Sequence, residues 1–375
     1  MRVVLVLGTS TGGVGQHVRS LAAGLVAAGD SVLVAGPAST QRSFGFDTVG
    51  ALFAALDVGT TPRPRHDLVA ARRLRELVAG RDVVHAHGLR AGFLAVLALR
   101  GRAMAGSPRP ALVVTWHNAV LGRGPRRQVL VALERVVARG ADVTLGASSD
   151  LVARAAELGA GDARLGPVAA PPLPSPARSR DDVRADLLAA AGIEDLTTPV
   201  VLAVGRLAEQ KDYPTLLAAV GEHWPPALTR PLLVIAGEGP LAEGLQRTIR
   251  EHGLRVLLLG QRRDVPDLLA AADLYVLSSR WEARALVVQE AARAGVAVVA
   301  TAVGGVPDLV EGAAVLVAPG DPAALAEALA RLVSDPEQRE RVATAVRERS
   351  VSWPDEAATT QQVRAVYAGL RTVVD

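Results

Sequence analysis

The sequence has no cysteine, few aromatic residues and no long hydrophobic run. Without cysteine, neither a disulfide nor a thiolate metal site can form. Aromatic residues make up 3% of the chain and hydrophobic residues 50%, so the core must be built mainly from Val, Leu and Ala. No uncharged apolar run reaches the roughly 18 residues that a transmembrane helix needs, so we expect none.

Charged residues are nearly balanced, with 41 Lys and Arg against 38 Asp and Glu and a formal charge of +3. No basic stripe interleaved with aromatic residues is present, so we expect no nucleic-acid partner. The N-terminal "MRVVLVLG" has an apolar stretch too short for a signal peptide and is typical of a buried strand. These features predict a cytoplasmic protein.

Lysine is almost absent, because Lys211 is the only lysine among the 41 basic residues. Arginine presents a wide planar fork, whereas lysine presents a compact, movable point charge. The position therefore either arose by chance or needs an ammonium in particular.

The chain alternates strand, glycine loop and helix. Continuous Val and Leu runs indicate strands covered on both faces, as in a parallel, doubly wound sheet. Predicted strands lie at 2–8, 31–36, 82–87, 111–117, 141–148, 199–205, 231–237, 255–260, 273–279, 296–301 and 313–320. Predicted helices lie at 18–28, 68–78, 92–99, 127–139, 214–219, 240–251, 265–271, 286–294, 307–310, 322–332 and 354–372.

A length of 375 residues favours two domains. The rhythm breaks in the proline-rich "GPVAAPPLPSPAR" at 166–178. We therefore predict an α/β protein with two Rossmann-like domains facing a cleft: 1–168, a linker at 169–179, 180–352, and a C-terminal segment at 353–375 that packs back on the first domain. Ligands of such sheets bind beyond the carboxyl ends of the strands.

In the first half, "TSTGGVGQHV" follows the first strand. Gly12 and Gly13 allow a phosphate or sugar to approach the backbone near a helix N-terminus, or simply make a turn. The dinucleotide fingerprint G-x-G-x-x-G is absent. "VHAHG" and "TWHN" place His85, His87 and His117 after strands, either as hydrogen-bonding groups for hydroxyls or as polar strand ends. The spacing argues against a zinc site.

In the second half, "GRLAEQK" places Arg206 and Lys211 five residues apart after Gly205. Two cations after a glycine suit a pyrophosphate. "SSRWEARALVVQEAARAG" supplies Glu282 and Glu290 at E-x7-E spacing, and Glu290 lies on an otherwise apolar helix, where a carboxylate needs a partner such as ribose hydroxyls. The loop containing Gly237 and the Gly304–Gly305 pair offer amides to a phosphate or a sugar.

These motifs, in this order, resemble the family-4 glycosyltransferases of the GT-B fold, and "GGVGQHV" is similar to phosphatidylinositol mannosyltransferase-like members. The resemblance implies metal-independent, retaining transfer of a hexose from a UDP- or GDP-sugar to a hydroxyl acceptor, without a cofactor; the chain has no D-x-D motif. The implied catalytic residues are His117, Arg206, Lys211 and Glu282. The implied donor-binding residues are Gly12, Gly13, Gly205, Arg206, Lys211, Gly237, Gln261, Arg262, Glu282, Leu286 and Glu290. The acceptor-side candidates are His17, His85 and His87.

The chain departs from the family pattern at two places. The usual E-G-F-G is Glu282-Ala283-Arg284-Ala285, and the usual Asn-Gly-x-Asp before the linker is replaced at 169–172 by Ala-Ala-Pro-Pro. We expect Arg284 to point outward to solvent; the alternative is a charged donor sugar.

Three alternatives remain open at this level. A nucleotide-sugar isomerase or epimerase on the same fold would convert the donor without an acceptor. A non-catalytic protein would bind a nucleotide sugar without turnover. The helical segment carrying Arg72, Arg73 and Arg75 is either a peripheral membrane contact or a solvated basic face.

Overall fold

The computed structural model of the protein describes residues 1–10, 12–59, 61–103, 109–122, 124–166 and 168–371. The chain divides into two compact units, one formed by Met1–Pro171 with Pro354–Asp375 and the other by Pro172–Trp353. Both are α/β units built on a parallel sheet, which confirms the predicted fold class. Of the predicted C-terminal segment 353–375, residues 372–375 lie outside the described residues.

The N-terminal unit contains a seven-stranded sheet in the order β3-β2-β1-β4-β5-β6-β7. Its strands are β1 (Arg2–Leu7), β2 (Ser31–Gly36), β3 (Leu52–Ala55), β4 (Val83–His87), β5 (Ala111–Trp116), β6 (Val143–Gly146) and β7 (Ala163–Leu165). Its helices are α1 (Gly13–Ala27), α2 (Ala38–Phe44), α3 (Pro64–Leu77), α4 (Leu89–Ala103), α5 (Pro125–Gly140) and α6 (Ser149–Glu157), with a 3-10 turn at Phe46–Val49.

The C-terminal unit contains a six-stranded sheet in the order β10-β9-β8-β11-β12-β13. Its strands are β8 (Val200–Val204), β9 (Leu232–Ala236), β10 (Val256–Leu258), β11 (Leu274–Leu277), β12 (Ala297–Thr301) and β13 (Val315–Val317). Its helices are α7 (Arg180–Ala190), α8 (Tyr213–Val220), α9 (Ala242–Glu251), α10 (Val265–Ala271), α11 (Leu286–Arg293), α12 (Val306–Val310), α13 (Pro322–Ser334) and α14 (Pro336–Val351).

The central strands are buried on both faces, which explains their continuous aliphatic sequences. Val3, Leu5 and Leu7 of β1 are fully buried and pack in one hydrophobic cluster with α1. In the C-terminal unit, Val200 and Val201 of β8 belong to two different clusters, one on each face of the sheet. Because every strand is parallel, all carboxyl ends in a sheet lie along the same edge, where the predicted site residues follow.

The last helix, α15 (Glu356–Arg371), packs against α1 of the N-terminal unit. A Cβ on Gly24 would lie 2.4 Å from Oγ1 of Thr360, so the glycine permits this close approach. Arg364 donates to Asp30 at 2.8 Å, and the Tyr367 hydroxyl lies 2.6 Å from a nitrogen of His85. The helix therefore completes the core of the N-terminal unit.

Candidate active site

The loops after β8 and β9 are fixed against each other by two glycines. The Gly205 amide donates to the Ala236 carbonyl at 3.0 Å, and the Gly237 amide donates to the Gly260 carbonyl at 2.8 Å. A Cβ on Gly237 would lie 1.9 Å from the carbonyl oxygen of Gly205, so no side chain fits there. The two predicted donor-binding glycines are therefore neighbours with a demonstrable packing role, and their contact with a donor stays a prediction.

Lys211 ends a short 3-10 turn, Glu209–Lys211, and is paired with Glu282. Its Nζ lies 2.6 Å from Oε1 of Glu282, and the Ser279 hydroxyl donates to the same oxygen at 2.6 Å. The lysine and glutamate side chains are only 20% and 10% exposed. Because an ammonium carries three N–H donors, the bond to Glu282 leaves two for a ligand. The structure thus joins two predicted catalytic residues in one ion pair.

The segment that carries Lys211 is tied to the segment that carries Glu282 by several further hydrogen bonds. Two of them involve Gln210: its carbonyl accepts from the Arg280 amide at 2.7 Å, and its Nε2 donates to the Trp281 carbonyl at 2.8 Å. In addition, the Ser278 hydroxyl donates to the Lys211 carbonyl at 2.8 Å. The Arg280 guanidinium donates to Oδ1 of Asp212 at 3.1 Å. These supporting residues were not among the site residues predicted from the sequence. Their partners lie about 70 residues away, so no local spacing signals them.

The Lys211 stem passes close to Gly205. A Cβ added to that glycine would lie 3.1 Å from the lysine Cε and 3.2 Å from the Tyr213 hydroxyl, which itself donates to the Gly205 carbonyl at 3.0 Å. The lysine side chain therefore runs through a narrow passage. This crowding favours a slim alkyl stem with a compact ammonium over a broad guanidinium.

Arg206, the second predicted phosphate-binding cation, is exposed. Among the residues that the structure describes, its guanidinium makes no hydrogen bond and no ion pair. The two cations therefore differ: one is a largely buried ammonium held by a carboxylate, and the other is a guanidinium open to solvent and available to an anion.

Leu286 and Glu290 are the first and fifth residues of α11. Burial raises the pKa of Glu290 to about 7, and nearby Arg293 partly opposes that rise. In the described part of the chain, no group donates a hydrogen bond to the Glu290 carboxylate. A half-buried carboxylate in this condition is suited to accept hydrogen bonds from ligand hydroxyls, which is the role predicted for it.

Gly304 and Gly305 contact the backbone carbonyl of Glu282. Gly304 has φ 50°, and a Cβ on it would lie 2.0 Å from the Glu282 carbonyl oxygen. The Gly305 amide donates to that same oxygen at 2.9 Å. The expectation that both amides of this pair are offered to a ligand is therefore wrong for Gly305, whose N–H holds the loop that carries Glu282.

Arg284 does not point outward to solvent, so that expectation is wrong. Its Nε and Nη2 are buried and, within the described residues, have no hydrogen-bond partner. Burial, reinforced by the like charges of Arg349 and Arg293, lowers its pKa to about 10. Arg284 is therefore an unpaired guanidinium within the fold of the C-terminal unit, and the alternative of a charged donor sugar stays a prediction.

Gln261 and Arg262, predicted to read the base, are both exposed after β10. Nε of Arg262 donates to Oδ1 of Asp264 at 2.8 Å, and this bond lowers the pKa of Asp264. A pocket of 470 Å³ is lined by Gly237 and by Gly260, the residue that directly precedes Gln261. A second pocket of 680 Å³, between α8 and α9, contains none of the predicted site residues.

In the N-terminal unit, α1 begins at Gly13, five residues earlier than predicted. Gly12 is exposed, and a Cβ on it would meet no atom within 4 Å. A Cβ on Gly15, in contrast, would lie 2.1 Å from the Phe44 ring, so this third glycine is needed for packing. Gly12 therefore leaves open space at the start of the helix, as close approach of a ligand requires; Gly13, the first residue of α1, is exposed.

Three histidine rings meet at the carboxyl ends of β4 and β5. The ring centroids of His17, His87 and His117 are 5.4–5.5 Å apart, and His87 Nδ1 lies 3.1 Å from His117 Nε2. The strands that carry His87 and His117 are hydrogen-bonded neighbours. Strand pairing therefore brings together histidines 30 positions apart, a proximity that the sequence spacing did not indicate.

His85 does not have the predicted acceptor-side role. It is fully buried; its Nδ1 lies 2.6 Å from the Tyr367 hydroxyl and its Nε2 lies 2.6 Å from Oγ1 of Thr115. Both ring nitrogens are thus occupied by protein groups. His85 connects α15 to the sheet, and only the other three histidines have the arrangement expected of ligand contacts.

The clustered histidines are neutral at neutral pH. Burial lowers the pKa of His17 to about 4, and burial together with neighbouring imidazoles holds the pKa values of His87 and His117 well below 6.5. Each neutral ring has one N–H donor and one bare nitrogen. Nε2 of His87 is buried without a hydrogen-bond partner among the described residues. The cluster can therefore hydrogen-bond hydroxyls without adding charge.

The three arginines of the proposed membrane contact lie on α3 and differ from one another. Arg72 and Arg73 are exposed, and Arg73 pairs with Glu76 at 2.7 Å. Nε of Arg75 donates to the carbonyl of Ala98 at 3.2 Å, so this side chain is tied to α4. No helix in the described part of the chain has the length and apolar character needed to span a bilayer.

Comparison with known proteins matches each unit to a glycosyltransferase family model. The family model described as "Glycosyl transferase 4-like domain" matches residues 12–171, and the one described as "Glycosyl transferases group 1" matches residues 188–349. Glycogen synthase of Mycobacterium tuberculosis is 30% identical over 94% of this chain and 90% of its own length. Alpha-D-kanosaminyltransferase of Streptomyces kanamyceticus is 35% identical over 43% of this chain and 42% of its own length.

Solved structures show the same architecture. HepE of Anabaena, crystallised with UDP and glucose, superposes with a TM-score of 0.81 at 19% identity, covering 98% of this chain and all of its own. Sucrose-phosphate synthase of Thermosynechococcus elongatus gives a TM-score of 0.76 at 22% identity, with complete coverage of both chains. At these identities the likeness shows the fold.

Proposed function

The chain belongs to the family-4 glycosyltransferases of the GT-B fold, and on that premise we propose that it moves a hexose from a UDP- or GDP-sugar to a hydroxyl acceptor. The reaction proceeds with retention at the anomeric carbon and without a bound metal. The C-terminal unit holds the donor, and the N-terminal unit supplies the acceptor side.

The observation that carries this proposal is the disposition of charge after β8. Lys211 is held by Glu282 at 2.6 Å and keeps two donors, while Arg206 is exposed and uncommitted among the described residues. A nucleoside diphosphate offers several acceptor oxygens to such a pair. Glu290 supplies the complementary acceptor for ribose hydroxyls.

In the proposed reaction the bond between the anomeric carbon and the diphosphate oxygen breaks, and its electron pair stays on that oxygen. The acceptor oxygen forms the new bond, and its proton passes to the departing phosphate. Negative charge therefore grows on the leaving group, and Arg206 and Lys211 stabilise it. Such fixed electrostatic stabilisation is usually the largest catalytic contribution.

The neutral histidines have a separate role in the proposed reaction, which is to contact the reacting sugar and hydroxyl groups. His117 faces the reacting sugar, and His17 and His87 hydrogen-bond hydroxyl groups. Neutral rings are appropriate here, because an imidazolium would disfavour the positive charge that develops on the sugar. The complex of HepE with UDP and glucose, a protein of the same fold, supports a nucleotide-sugar donor.

The test is a thermal-shift screen with UDP-, GDP- and ADP-sugars, followed by a transfer assay with the donor that binds. A ligand at a hundredfold excess over its Kd stabilises the folded state by about 2.7 kcal/mol. We expect one UDP- or GDP-sugar to raise Tm and to be consumed only when an acceptor is present.

Two other outcomes would contradict the proposal. An epimerised nucleotide sugar formed without acceptor would identify an isomerase. Donor binding with no turnover against glycan, lipid or small-molecule acceptors would identify a binding protein. Inversion of the anomeric centre in the product, read by NMR, would overturn the retaining mechanism alone.

A further inference from the structure

Three buried histidines, His17, His87 and His117, form a cluster in the N-terminal unit, here called the three-histidine cluster. One ring nitrogen from each residue lies within 4.8 Å of one from each of the others, and all three residues are buried. They come from three separate elements: α1, the end of β4 and the loop after β5. Their relative positions are therefore fixed by the core of the unit.

The separation of two of the nitrogens matches that of ligands in a transition-metal site. Zn²⁺ binds imidazole nitrogens at about 2.0–2.1 Å in tetrahedral geometry, which separates two ligand nitrogens by roughly 3.3 Å. The observed separation of His87 Nδ1 from His117 Nε2 is 3.1 Å. The nitrogen contributed by His17 lies within 4.8 Å of the other two, so metal binding would draw the His17 ring closer to them.

The chemistry of the donor set selects the kind of ion. The cluster contains no carboxylate, so it does not suit Mg²⁺ or Ca²⁺, which take oxygen ligands. Neutral imidazoles suit Zn²⁺ and Co²⁺. The chain has no cysteine that would compete for such an ion.

His85 lies beside the cluster but is not available as a fourth protein ligand. Its ring centroid is 4.2 Å from that of His87, yet Tyr367 and Thr115 occupy both of its nitrogens. The site therefore has three protein ligands, which leaves a fourth tetrahedral position for water or a substrate atom. Three histidines with an open position are the ligand set of reactive rather than structural zinc sites.

We propose that the three-histidine cluster is a binding site for one divalent transition-metal ion of the Zn²⁺ class. In the free protein, His87 Nδ1 and His117 Nε2 share one hydrogen. Metal binding moves the ring protons to His87 Nε2 and His117 Nδ1, with no net proton release from the pair. Because His87 Nε2 has no acceptor among the described residues, the site lacks the outer hydrogen bond that strengthens most zinc sites, and the ion is exchangeable.

The ion inhibits transfer, and this consequence rests on the proposed function. Metal coordination places positive charge among imidazoles that the proposed reaction needs neutral, because positive charge develops on the reacting sugar. Transfer that needs no metal is therefore slowed by micromolar Zn²⁺ and restored by a chelator, whereas Mg²⁺ has no such effect.

The experiment is a Co²⁺ titration of the tag-free, metal-stripped protein, followed by visible absorption, with Zn²⁺ competition. We expect one equivalent per chain and the intense d–d bands of tetrahedral coordination. The single changes H17Q, H87Q and H117Q each weaken binding by at least about tenfold. The matched control H66Q/H223Q/H252Q, which changes the three exposed histidines, leaves binding unchanged.

Loss of binding in the control, or retention of full affinity in all three single variants, would overturn the proposal. If a single variant fails to fold, X-ray absorption of Zn²⁺ bound to the unchanged protein decides: three imidazole ligands support the site, and an oxygen-only shell overturns it. Binding without inhibition would leave the site in place and contradict the role of these histidines in transfer. Failure of the unchanged protein to bind Co²⁺ or Zn²⁺ would overturn the proposed site and leave the proposed transferase function untouched.

Discussion

The two units use the same parallel-sheet architecture but arrange opposite kinds of polar group at their strand ends. The C-terminal unit collects charges: Lys211 paired with Glu282, exposed Arg206, and Glu290 with a raised pKa. The N-terminal unit collects uncharged imidazoles, of which His17 and its neighbours have lowered pKa values. One unit is suited to a polyanion and the other to neutral hydroxyl groups.

This difference fits the bisubstrate reaction that we propose. In that proposal, charged groups bind the departing diphosphate, and neutral imidazoles face the sugar that gains positive character. The following predictions separate the two units by measurement, beginning with the largest effect.

Acidification should destabilise the N-terminal unit selectively. The four buried histidines have folded pKa values below their unfolded value of 6.5, so their contribution is intact above pH 6.5 and is lost as the pH falls toward the folded values. Because the unfolded chain binds more protons than the folded chain in that window, the free energy of unfolding of the N-terminal unit falls steadily as the pH drops from 6.5 toward 5.

Hydrogen exchange of β4 and β11 between pH 8 and pH 5, corrected for intrinsic rates, measures the two units in one sample. Glu290 in the C-terminal unit acts in the opposite direction: its folded pKa of about 7 exceeds the unfolded value, so its contribution grows as the pH falls from 7. Equal loss of protection in β4 and β11 would contradict the comparison.

Removal of Lys211 should reduce transfer strongly. In other enzymes, loss of one group that stabilises a developing anion costs about 10²–10³ in kcat, or roughly 2.7–4 kcal/mol. We expect Lys211→Ala to show this loss, and Lys211→Arg to recover little, because the lysine stem passes within a crowded space at Gly205. Steady-state kinetics check the result.

The matched control for charge is Arg230→Ala. This change removes an exposed cation of the same unit that does not belong to the loop after β8. It should keep nearly full activity. Full activity of Lys211→Arg would show that the position needs only a positive charge, and the solitary lysine would then have no chemical explanation.

Replacement of Arg284 by Met should stabilise the C-terminal unit. Its buried Nε and Nη2 have no partner in the described part of the chain, and an unsatisfied buried donor costs about 1–3 kcal/mol. Tm should rise by roughly 2–4 °C for each kcal/mol. Arg280→Met is the matched control and should lower Tm, because Arg280 pairs with buried Asp212. Destabilisation by Arg284→Met would contradict our assignment.

The smallest effect concerns α3. Arg72→Glu/Arg73→Glu leaves Arg75, which is bonded to α4, in place. If the helix contacts membranes, the double change should reduce sedimentation with anionic vesicles severalfold, since each basic residue contributes about 1 kcal/mol near a charged surface. Equal, negligible sedimentation of both proteins would identify a solvated basic face.

Much of the fold was predictable because the two-sided burial of parallel strands leaves a clear aliphatic signature. The strand at 31–36 and helix α10 at 265–271 were predicted at their observed bounds. The elements missed were short or lay at sheet edges and surfaces. Strand β7, for example, has three residues, two of them exposed, so it carries no hydrophobic pattern.

The site was less predictable, because its geometry depends on long-range contacts. Glycine and charge patterns indicated Lys211 and Glu282, but not that Ser279 and Gly305 fix the glutamate between them. The repeated histidines in "HAH" look equivalent in sequence. Only the position of Tyr367, more than 280 residues later, separates the structural His85 from the clustered His87.

The central claim is that Arg206 and Lys211 bind the diphosphate of a nucleotide sugar. The most direct measurement compares, by calorimetry, the affinities of the cognate nucleoside diphosphate and monophosphate for the unchanged protein and for Arg206→Ala/Lys211→Ala. We predict a strong preference for the diphosphate that falls at least about tenfold in the double variant, with monophosphate affinity much less affected. An unchanged preference would contradict the account.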